Sequence, residues 1–146
     1  MSRKKEFFTQ LFNEMIPFNQ YVGMQLLDIE DGFAKALIPF RNELVGDPRT
    51  LAIHGGVIAT ALDAIGGFAG MTTLSSMEDK ISTIDMRIDY LRSARNCNVI
   101  VEGRISRNGN RIITTNMKAY REDDGTLLAE GKAVYNVVRH QDKDKN

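Results

Sequence analysis

The chain has 146 residues, enough to bury a sizeable hydrophobic core within one domain. Its 19 Lys and Arg residues balance 19 Asp and Glu residues, which gives a formal net charge of zero. This balance argues against a broad electrostatic surface for nucleic acid or for an anionic membrane.

Cysteine and histidine are scarce in this sequence. The single cysteine, Cys97, cannot form a disulfide within the chain, which is typical of a reducing compartment. One cysteine and two histidines argue against a conventional zinc site. The basic N-terminus is not followed by an uninterrupted apolar segment, and no segment is long enough to span a bilayer. We therefore expect a soluble cytoplasmic protein.

The N-terminal segment, residues 1–20, is predicted to be helical. Ser2 can cap a helix, and apolar residues follow in pairs at positions 7/8, 11/12 and 15/16. Pro17 is expected to end this helix. Basic residues at positions 3–5 leave a membrane-surface helix open as an alternative, but we favour packing on the protein itself or on a partner subunit.

A hairpin and a loop are predicted next. Gln25–Glu30 and Phe33–Phe40 have the character of two strands that meet at Asp31-Gly32. Residues 41–50 contain Asn, Gly, Asp and Pro, and we expect them to form a loop that leads into a helix.

Four further strands are predicted in the second half of the chain. Ile81–Leu91 alternates between an apolar face with Ile84, Met86, Ile88 and Tyr90 and a polar face with Thr83, Asp85, Arg87 and Asp89. Tight turns at Asn108-Gly109 and Asp124-Gly125 separate the other three, which cover Asn98–Ser106, Arg111–Arg121 and Leu127–Val138. Residues 139–146 have no apolar side chain and are expected to be a disordered tail.

A single long helix is predicted from about Gly56 to about Ser75, buried nearly all round because apolar and small residues surround its axis. Gly66 and Gly67 each cost about 1 kcal/mol relative to alanine inside a helix, which predicts the close approach of another backbone. One helix with about six antiparallel strands predicts an α+β domain over residues 21–138, with the sheet wrapped around the helix.

The candidate functional residues lie at the start of this helix and on its first turns. His54-Gly55-Gly56 is a poor side-chain cap, and bare N–H groups at a helix N-terminus form an anion or oxyanion site. Asp63 follows Gly56 by about two turns and lies on the same helix face. A carboxylate on an apolar helix must be partnered or used. A structural alternative stays open for both polar residues. Asp63 could form a buried hydrogen bond that fixes a subunit contact, and His54 could have only a structural role at the start of the helix.

The sequence resembles the hotdog-fold acyl-CoA thioesterases of the phenylacetate-pathway type, in the 4-hydroxybenzoyl-CoA thioesterase-like superfamily. The resemblance covers about Val22 to Val138 and is most specific at His54-Gly55-Gly56 with an acid nine residues after the histidine. Residues 82–91 and 131–137 support it. It implies the hotdog fold, hydrolysis of an acyl-CoA thioester, and a homodimer or a dimer of dimers in which sheets join edge to edge.

The resemblance also implies residue roles. Asp63 of one protomer is the general base or the nucleophile, and the Gly56 N–H of the other polarises the thioester carbonyl. The motif makes His54 a further catalytic candidate and Gly55 a substrate-binding candidate. Some relatives position water with a hydroxyl at the place of Thr83, which here requires a bend at the start of the strand.

One feature of the family pattern is missing. Some relatives have an asparagine six residues before the histidine, where this chain has Pro48. Asp47 or Asn42 could replace it, and the sequence does not decide between them.

Substrate contacts are expected from arginines and from apolar residues. Arg87, Arg92 and Arg95 belong to an arginine-rich part of the sheet that could bind the phosphates of coenzyme A, although solvated strand faces are the simpler interpretation. Residues of the helix and the first strands, with Phe68 and Met71 among them, would line a pocket for an aliphatic or aromatic acyl group. Coenzyme A is then part of the substrate, and the reaction requires no cofactor and no metal.

Two other functions fit the same residues. A 3-hydroxyacyl thioester dehydratase needs a histidine and an acid that face one substrate, and His54 and Asp63 are available. A non-catalytic acyl-CoA-binding module would keep Asp63 only as a structural acid. Release of free thiol separates the thioesterase from both.

Overall fold

The structure is a computed structural model that describes residues 2–140. The described chain has eight strands: β1 (Gln25–Glu30), β2 (Phe33–Ile38), β3 (Val45–Asp47), β4 (Ala52–Ile53), β5 (Lys80–Tyr90), β6 (Val99–Asn108), β7 (Ile112–Arg121) and β8 (Leu127–Val138). It has three α-helices: α1 (Arg3–Gln10), α2 (Pro17–Val22) and α3 (Gly55–Met71). Six strands form one antiparallel sheet in the order β1-β2-β6-β7-β8-β5, which confirms the predicted α+β class.

Helix α3 packs on the sheet, mainly against β6 and β7. Ala61, Leu62 and Ile65 are fully buried between them. The expected burial all round is wrong for one side of the helix, where Thr60 and Asp63 stay partly accessible. This accessible stripe, at a spacing of three and four residues, is where a site can form.

The close backbone approach predicted from the two glycines is confirmed at Gly66. A Cβ atom on Gly103 of β6 would lie 3.0 Å from the Gly66 Cα and 2.9 Å from the Ile65 carbonyl oxygen. A Cβ on Gly66 would lie 2.5 Å from the Tyr135 hydroxyl. Helix and sheet therefore touch backbone to backbone at this point, and a larger residue would push them apart.

Helix α3 ends at Met71 rather than near Ser75. The Thr72 and Thr73 hydroxyls donate to the carbonyls of Ala69 and Gly70, at 2.6 and 2.8 Å. Such bonds offer the backbone a partner other than the next helical turn, so the helix stops here.

The N-terminal segment is helical but longer and more broken than predicted. Ser2 caps α1 by accepting from the Lys5 N–H at 3.2 Å, as expected. A π-helical turn, Leu11–Met15, follows. Pro17 ends this first helical segment, as expected, because Ile16 before it is extended, with φ -97° and ψ 107°. A separate helix, α2, then begins at Pro17, where a proline needs no hydrogen-bonded N–H, and runs to Val22. Basic residues of α1 bind acidic residues of β1 and its turn, so the helix packs on its own protein.

The loop predicted over residues 41–50 contains structure that the sequence did not indicate. A short 3₁₀ turn, Asn42–Leu44, leads into β3, which pairs with β4 in a small second sheet. The His54 N–H donates to the Leu44 carbonyl at 2.8 Å. This hairpin therefore fixes the chain directly in front of α3.

The described chain has no helix long and apolar enough to cross a membrane. Arg139 and His140 are held by hydrogen bonds to Asn110 and Asp79, at 2.9 and 2.8 Å, which contradicts the start of the predicted disordered tail. Residues 141–146 of that prediction lie outside the described residues.

Candidate active site

The centre of the candidate site is the carboxylate of Asp63, on the accessible stripe of α3. The Thr83 hydroxyl of β5 donates to its Oδ1 at 2.7 Å. The part of the chain that the structure describes donates no hydrogen bond to the other oxygen, Oδ2. Thr83 thus holds Oδ1, and Oδ2 stays available for a water or a substrate.

A β-bulge aims Thr83 at the helix. The pairing of β5 with β8 shifts by one residue between Thr83 and Asp85, and Ile84 is the residue left over. Ile84 is 56% exposed, so its predicted place on the apolar face is wrong. The bend that the family role of Thr83 required is therefore present, because a bulge reverses the alternation of side chains on either side of it.

Tyr135 of β8 supports the Asp63 side of the helix from within the core. Its hydroxyl donates to the Asp63 carbonyl at 2.8 Å and lies 3.5 Å from Oδ1. Burial, and the neighbouring carboxylate, raise the pKa of Tyr135, so it remains a neutral donor. The sequence analysis missed this residue; the signal was a hydroxyl on a core-facing position of a strand, opposite two glycines.

The N-terminus of α3 is not bare. The Gly56 N–H donates to Nδ1 of His54 at 2.8 Å, so the expectation of a poor side-chain cap is wrong. The Tyr90 hydroxyl donates to the Gly55 carbonyl at 2.7 Å. Burial raises the pKa of Tyr90. His54 and Tyr90 together fix the two glycines. The Gly56 N–H, which was expected to bind an oxyanion, is already hydrogen-bonded to the His54 imidazole.

Gly56 and Asp63 do not face one point within a single chain. They are seven residues apart on one helix, which is roughly 10 Å along the axis. Strand β5, which carries Thr83 and Tyr90, is an outer strand of the main sheet. The geometry of one protomer thus gives a base site and a donor site side by side, with an open sheet edge near both.

An apolar groove lies beside Asp63, which is one of its lining residues. It has a volume of about 320 Å³, within the usual range for small-molecule sites. Phe68 and Met71 line it, as predicted, together with Ile16, Phe18, Gly67 and Ile81. The first strands do not contribute, which corrects the predicted lining. Phe68 also packs edge to face on Phe12, with ring centroids 4.8 Å apart, and so attaches the N-terminal segment to α3.

The structure separates the three predicted arginines. Arg92 lines a cavity of about 300 Å³ together with Gly55 and Tyr90, at the start of α3. Arg95 pairs with Ala52 of β4 in an isolated bridge. Arg87 lies with Asp89 on the outer face of the sheet and pairs with it at 3.5 Å. Within one chain Arg87 is therefore on the opposite side of the sheet from Asp63.

The two candidates for the missing asparagine lie on the loop before α3. The Asp47 carboxylate accepts from the Arg49 backbone N–H and guanidinium, which lowers its pKa. The Asp47 backbone pairs with Ala52 in the β3–β4 sheet. Asn42 is exposed in the 3₁₀ turn. Asp47 is thus near the helix start but engaged with Arg49, and Asn42 makes no side-chain hydrogen bond within residues 2–140.

Metal-binding side chains do not cluster in residues 2–140. Cys97 is buried, and burial raises the pKa of its thiol. A protonated, buried thiol is a poor nucleophile. Among the described residues, Asp63 is the group best placed for chemistry beside the groove.

A buried helix wrapped by an antiparallel sheet, with a carboxylate on the helix and glycines at its N-terminus, defines the hotdog class of thioester hydrolases. The sequence profile of the thioesterase superfamily matches residues 52–128. The chain belongs to this superfamily.

Three relatives show how far the similarity extends. The medium/long-chain acyl-CoA thioesterase YigI of Salmonella typhimurium is 31% identical over 140 residues, which cover 88% of this chain and 90% of the relative. A thioesterase-superfamily protein solved by X-ray is 31% identical with a TM-score of 0.84, covering 94% of this chain and all of that one. A related protein from Shewanella oneidensis is 30% identical with a TM-score of 0.79, and the match covers 90% of this chain and 93% of that one. The hotdog-fold prediction is confirmed.

Proposed function

We propose that this protein hydrolyses the thioester of medium- or long-chain acyl-CoA, with Asp63 as general base or nucleophile. The observation that carries the proposal is the Asp63–Thr83 pair in the lining of an apolar groove. The name of the Salmonella relative, a medium/long-chain acyl-CoA thioesterase, supports the substrate class.

The base route uses the carboxylate as the geometry presents it. Oδ1 is held by Thr83, so Oδ2 takes a proton from water while the water oxygen attacks the carbonyl carbon. The C–S bond then breaks, the free acid leaves, and the proton passes to the coenzyme A thiolate. A positioned base contributes about 10²–10⁴-fold. In the nucleophile route Asp63 attacks directly and water hydrolyses the resulting anhydride.

The developing oxyanion needs a donor, and we propose the Gly56 N–H of a second protomer. Within one chain Gly56 is about two turns from Asp63, too far to flank one carbonyl. A two-fold axis beside the open edge of β5 would bring the Gly56 of one protomer towards the Asp63 of the other. A dimer, or a dimer of dimers, is therefore part of the proposal.

His54 takes a new role in this scheme. Its imidazole accepts the Gly56 N–H in the free protein, so it must rotate away before a thioester oxygen can accept the same donor. Arg92, near the same helix start, is the arginine best placed to meet a coenzyme A phosphate. A cytoplasmic location would supply this substrate.

The test is a thiol-release assay over acyl-CoA substrates from acetyl to palmitoyl, with phenylacetyl-CoA included. We expect turnover to be highest for acyl-CoAs with medium and long aliphatic chains. Tight binding without thiol release would instead indicate a binding module. Loss of water from a 3-hydroxyacyl-CoA without thiol release would indicate a dehydratase.

A further inference from the structure

The two adjacent glycines of α3, Gly66 and Gly67, have different surroundings. Gly66 is buried, and a Cβ there would lie 2.5 Å from the Tyr135 hydroxyl and 2.8 Å from the Thr115 hydroxyl. Gly67 is only partly buried, and a Cβ there would meet one atom within 4 Å, Cε1 of Tyr135 at 3.6 Å. Core packing therefore requires a glycine at position 66 but accepts an alanine at position 67.

A glycine that packing does not require still has a cost. Glycine inside a helix is about 1 kcal/mol less favourable than alanine, and the Gly67 backbone is helical, without a positive φ angle that would favour glycine. Alanine would therefore be the better residue for stability alone. The absent side chain at Gly67 has to serve something other than the fold.

The space above Gly67 belongs to the apolar groove. Asp63, Gly67 and Met71 follow each other at four-residue spacing, and all three line it. The distance from Asp63 to Met71 is roughly 12 Å along the helix axis. Gly67 thus lies midway between the candidate catalytic carboxylate and Met71 on the helix that lines the groove.

The walls of the groove are apolar and come from two other parts of the chain. Ile16 and Phe18 of the N-terminal segment and Ile81 of β5 line it together with α3. Phe18 stays 55% exposed although its ring stacks on Tyr21. An apolar ligand in the groove would cover part of this exposed aromatic surface, which favours its occupation.

We propose that Gly67 sets the acyl-chain length: a straight aliphatic chain runs from the thioester at Asp63 across Gly67 towards Met71. This inference rests on the proposed function, because the thioester carbonyl must lie at Asp63. At position 67 the groove reaches the helix backbone, and a Cβ there would have only Cε1 of Tyr135 within 4 Å, at 3.6 Å, so this space is open to a ligand. A side chain there would stop the chain about one helical turn beyond the carboxylate.

The test is a graded series, Gly67→Ala and Gly67→Leu, assayed as kcat/KM on saturated acyl-CoAs from four to sixteen carbons. We expect hydrolysis of the four-carbon substrate within about threefold of wild type, as the internal control. For chains of twelve or more carbons we expect at least a tenfold loss in Gly67→Leu and an intermediate loss in Gly67→Ala. Gly67→Ala should also unfold at a temperature no lower than wild type.

A second measurement does not need turnover. Alkyl thioethers of coenzyme A cannot be hydrolysed, and their Kd can be measured by calorimetry on the same three proteins. We expect the affinity of wild type to rise with alkyl length. In Gly67→Leu we expect the affinity to stop rising once the alkyl chain is long enough to reach position 67.

The outcomes separate this inference from the proposed function. If wild type hydrolyses nothing but shows the expected thioether pattern, the groove assignment stands and the proposed hydrolysis fails. If wild type hydrolyses acyl-CoAs and folded Gly67→Leu keeps the wild-type chain-length profile in both measurements, the inference is overturned and the hydrolysis stands. Equal losses for four and sixteen carbons would also overturn it.

Discussion

The Thr83 hydroxyl donates to Oδ1 of Asp63 at 2.7 Å and joins the outer strand β5 to the central helix α3. The two residues are twenty positions apart in the sequence, and a bulge at Ile84 is what turns the hydroxyl towards the carboxylate. This bond fixes one carboxylate oxygen and leaves the other to react. Its contribution to catalysis can be measured directly.

Thr83→Val keeps the shape of the side chain and removes the donor. A hydrogen bond to a charged group is worth about 1.5–3 kcal/mol, so we expect kcat to fall by about tenfold or more while KM changes little. Thr83→Ser keeps the hydroxyl and should retain most of the activity. Unchanged kcat in folded Thr83→Val would show that the bond has no part in positioning Asp63.

His54 is predicted to act first as a helix cap. His54→Ala loses the acceptor for the Gly56 N–H and should lower the free energy of unfolding by about 0.5–2 kcal/mol. His54→Asn offers a new cap acceptor and should recover most of this loss, as measured by urea unfolding. If both variants were as stable as wild type, the cap would contribute nothing. If both variants were as stable as wild type but inactive, His54 would take part in the chemistry, as the motif first suggested.

Gly66→Ala tests the close approach of helix and sheet. The new Cβ would overlap the Tyr135 and Thr115 hydroxyls, and overpacking of this kind costs about 1–3 kcal/mol. We expect a lower melting temperature for Gly66→Ala and no such loss for Gly67→Ala, although the two substitutions are chemically identical and adjacent. A similar melting temperature for both would mean that the core yields at Gly66 without cost.

Much of this architecture could be read from the sequence because its signals are local. The β1–β2 hairpin, the last strand and the central helix follow from turn residues and from regular alternation of apolar side chains. The bulge at Ile84 could only be anticipated through the family role of Thr83. A bulge adds one residue that strict alternation cannot show, and so Thr83 and Ile84 were assigned to the wrong faces, whereas Met86 and Ile88 beyond the bulge pack on the core as assigned.

The site was predictable only where its residues form one motif. His54, Gly56 and Asp63 are near each other in sequence, whereas Tyr135 reaches Asp63 from a strand 72 positions away. Such a contact depends on how β8 packs against α3, and the sequence of neither segment alone predicts that packing. The cap made by His54 was missed because it is a matter of side-chain rotamer rather than of spacing.

Coenzyme A recognition can be tested with the two arginines that the fold places near the start of α3. Neutralising both, Arg92→Gln with Arg95→Gln, should raise KM for acyl-CoA much more than KM for a short thioester without the nucleotide. Arg87→Gln is the matched control, because Arg87 lies on the outer sheet face beside Asp89. Equal changes for both substrates, or a comparable effect of Arg87→Gln, would contradict this assignment.

Asp63→Asn is the most direct test of the mechanism. Asparagine has the shape of the carboxylate and can still accept from Thr83, so folding and assembly should survive. It cannot take a proton from water and cannot form an anhydride. We expect kcat to fall by about 10²–10⁴-fold, with a much smaller change in KM because the groove and the coenzyme A contacts remain.

The alternative for Asp63 predicts the opposite pattern. A purely structural acid would give Asp63→Asn a lower melting temperature and weaker assembly, with near-normal turnover in the molecules that stay folded. Steady-state kinetics, thermal unfolding and size-exclusion chromatography with light scattering on one preparation distinguish the two. A folded Asp63→Asn protein of wild-type assembly state that hydrolyses acyl-CoA within about threefold of wild type would remove Asp63 from the mechanism, because such a loss is far below what a positioned base contributes.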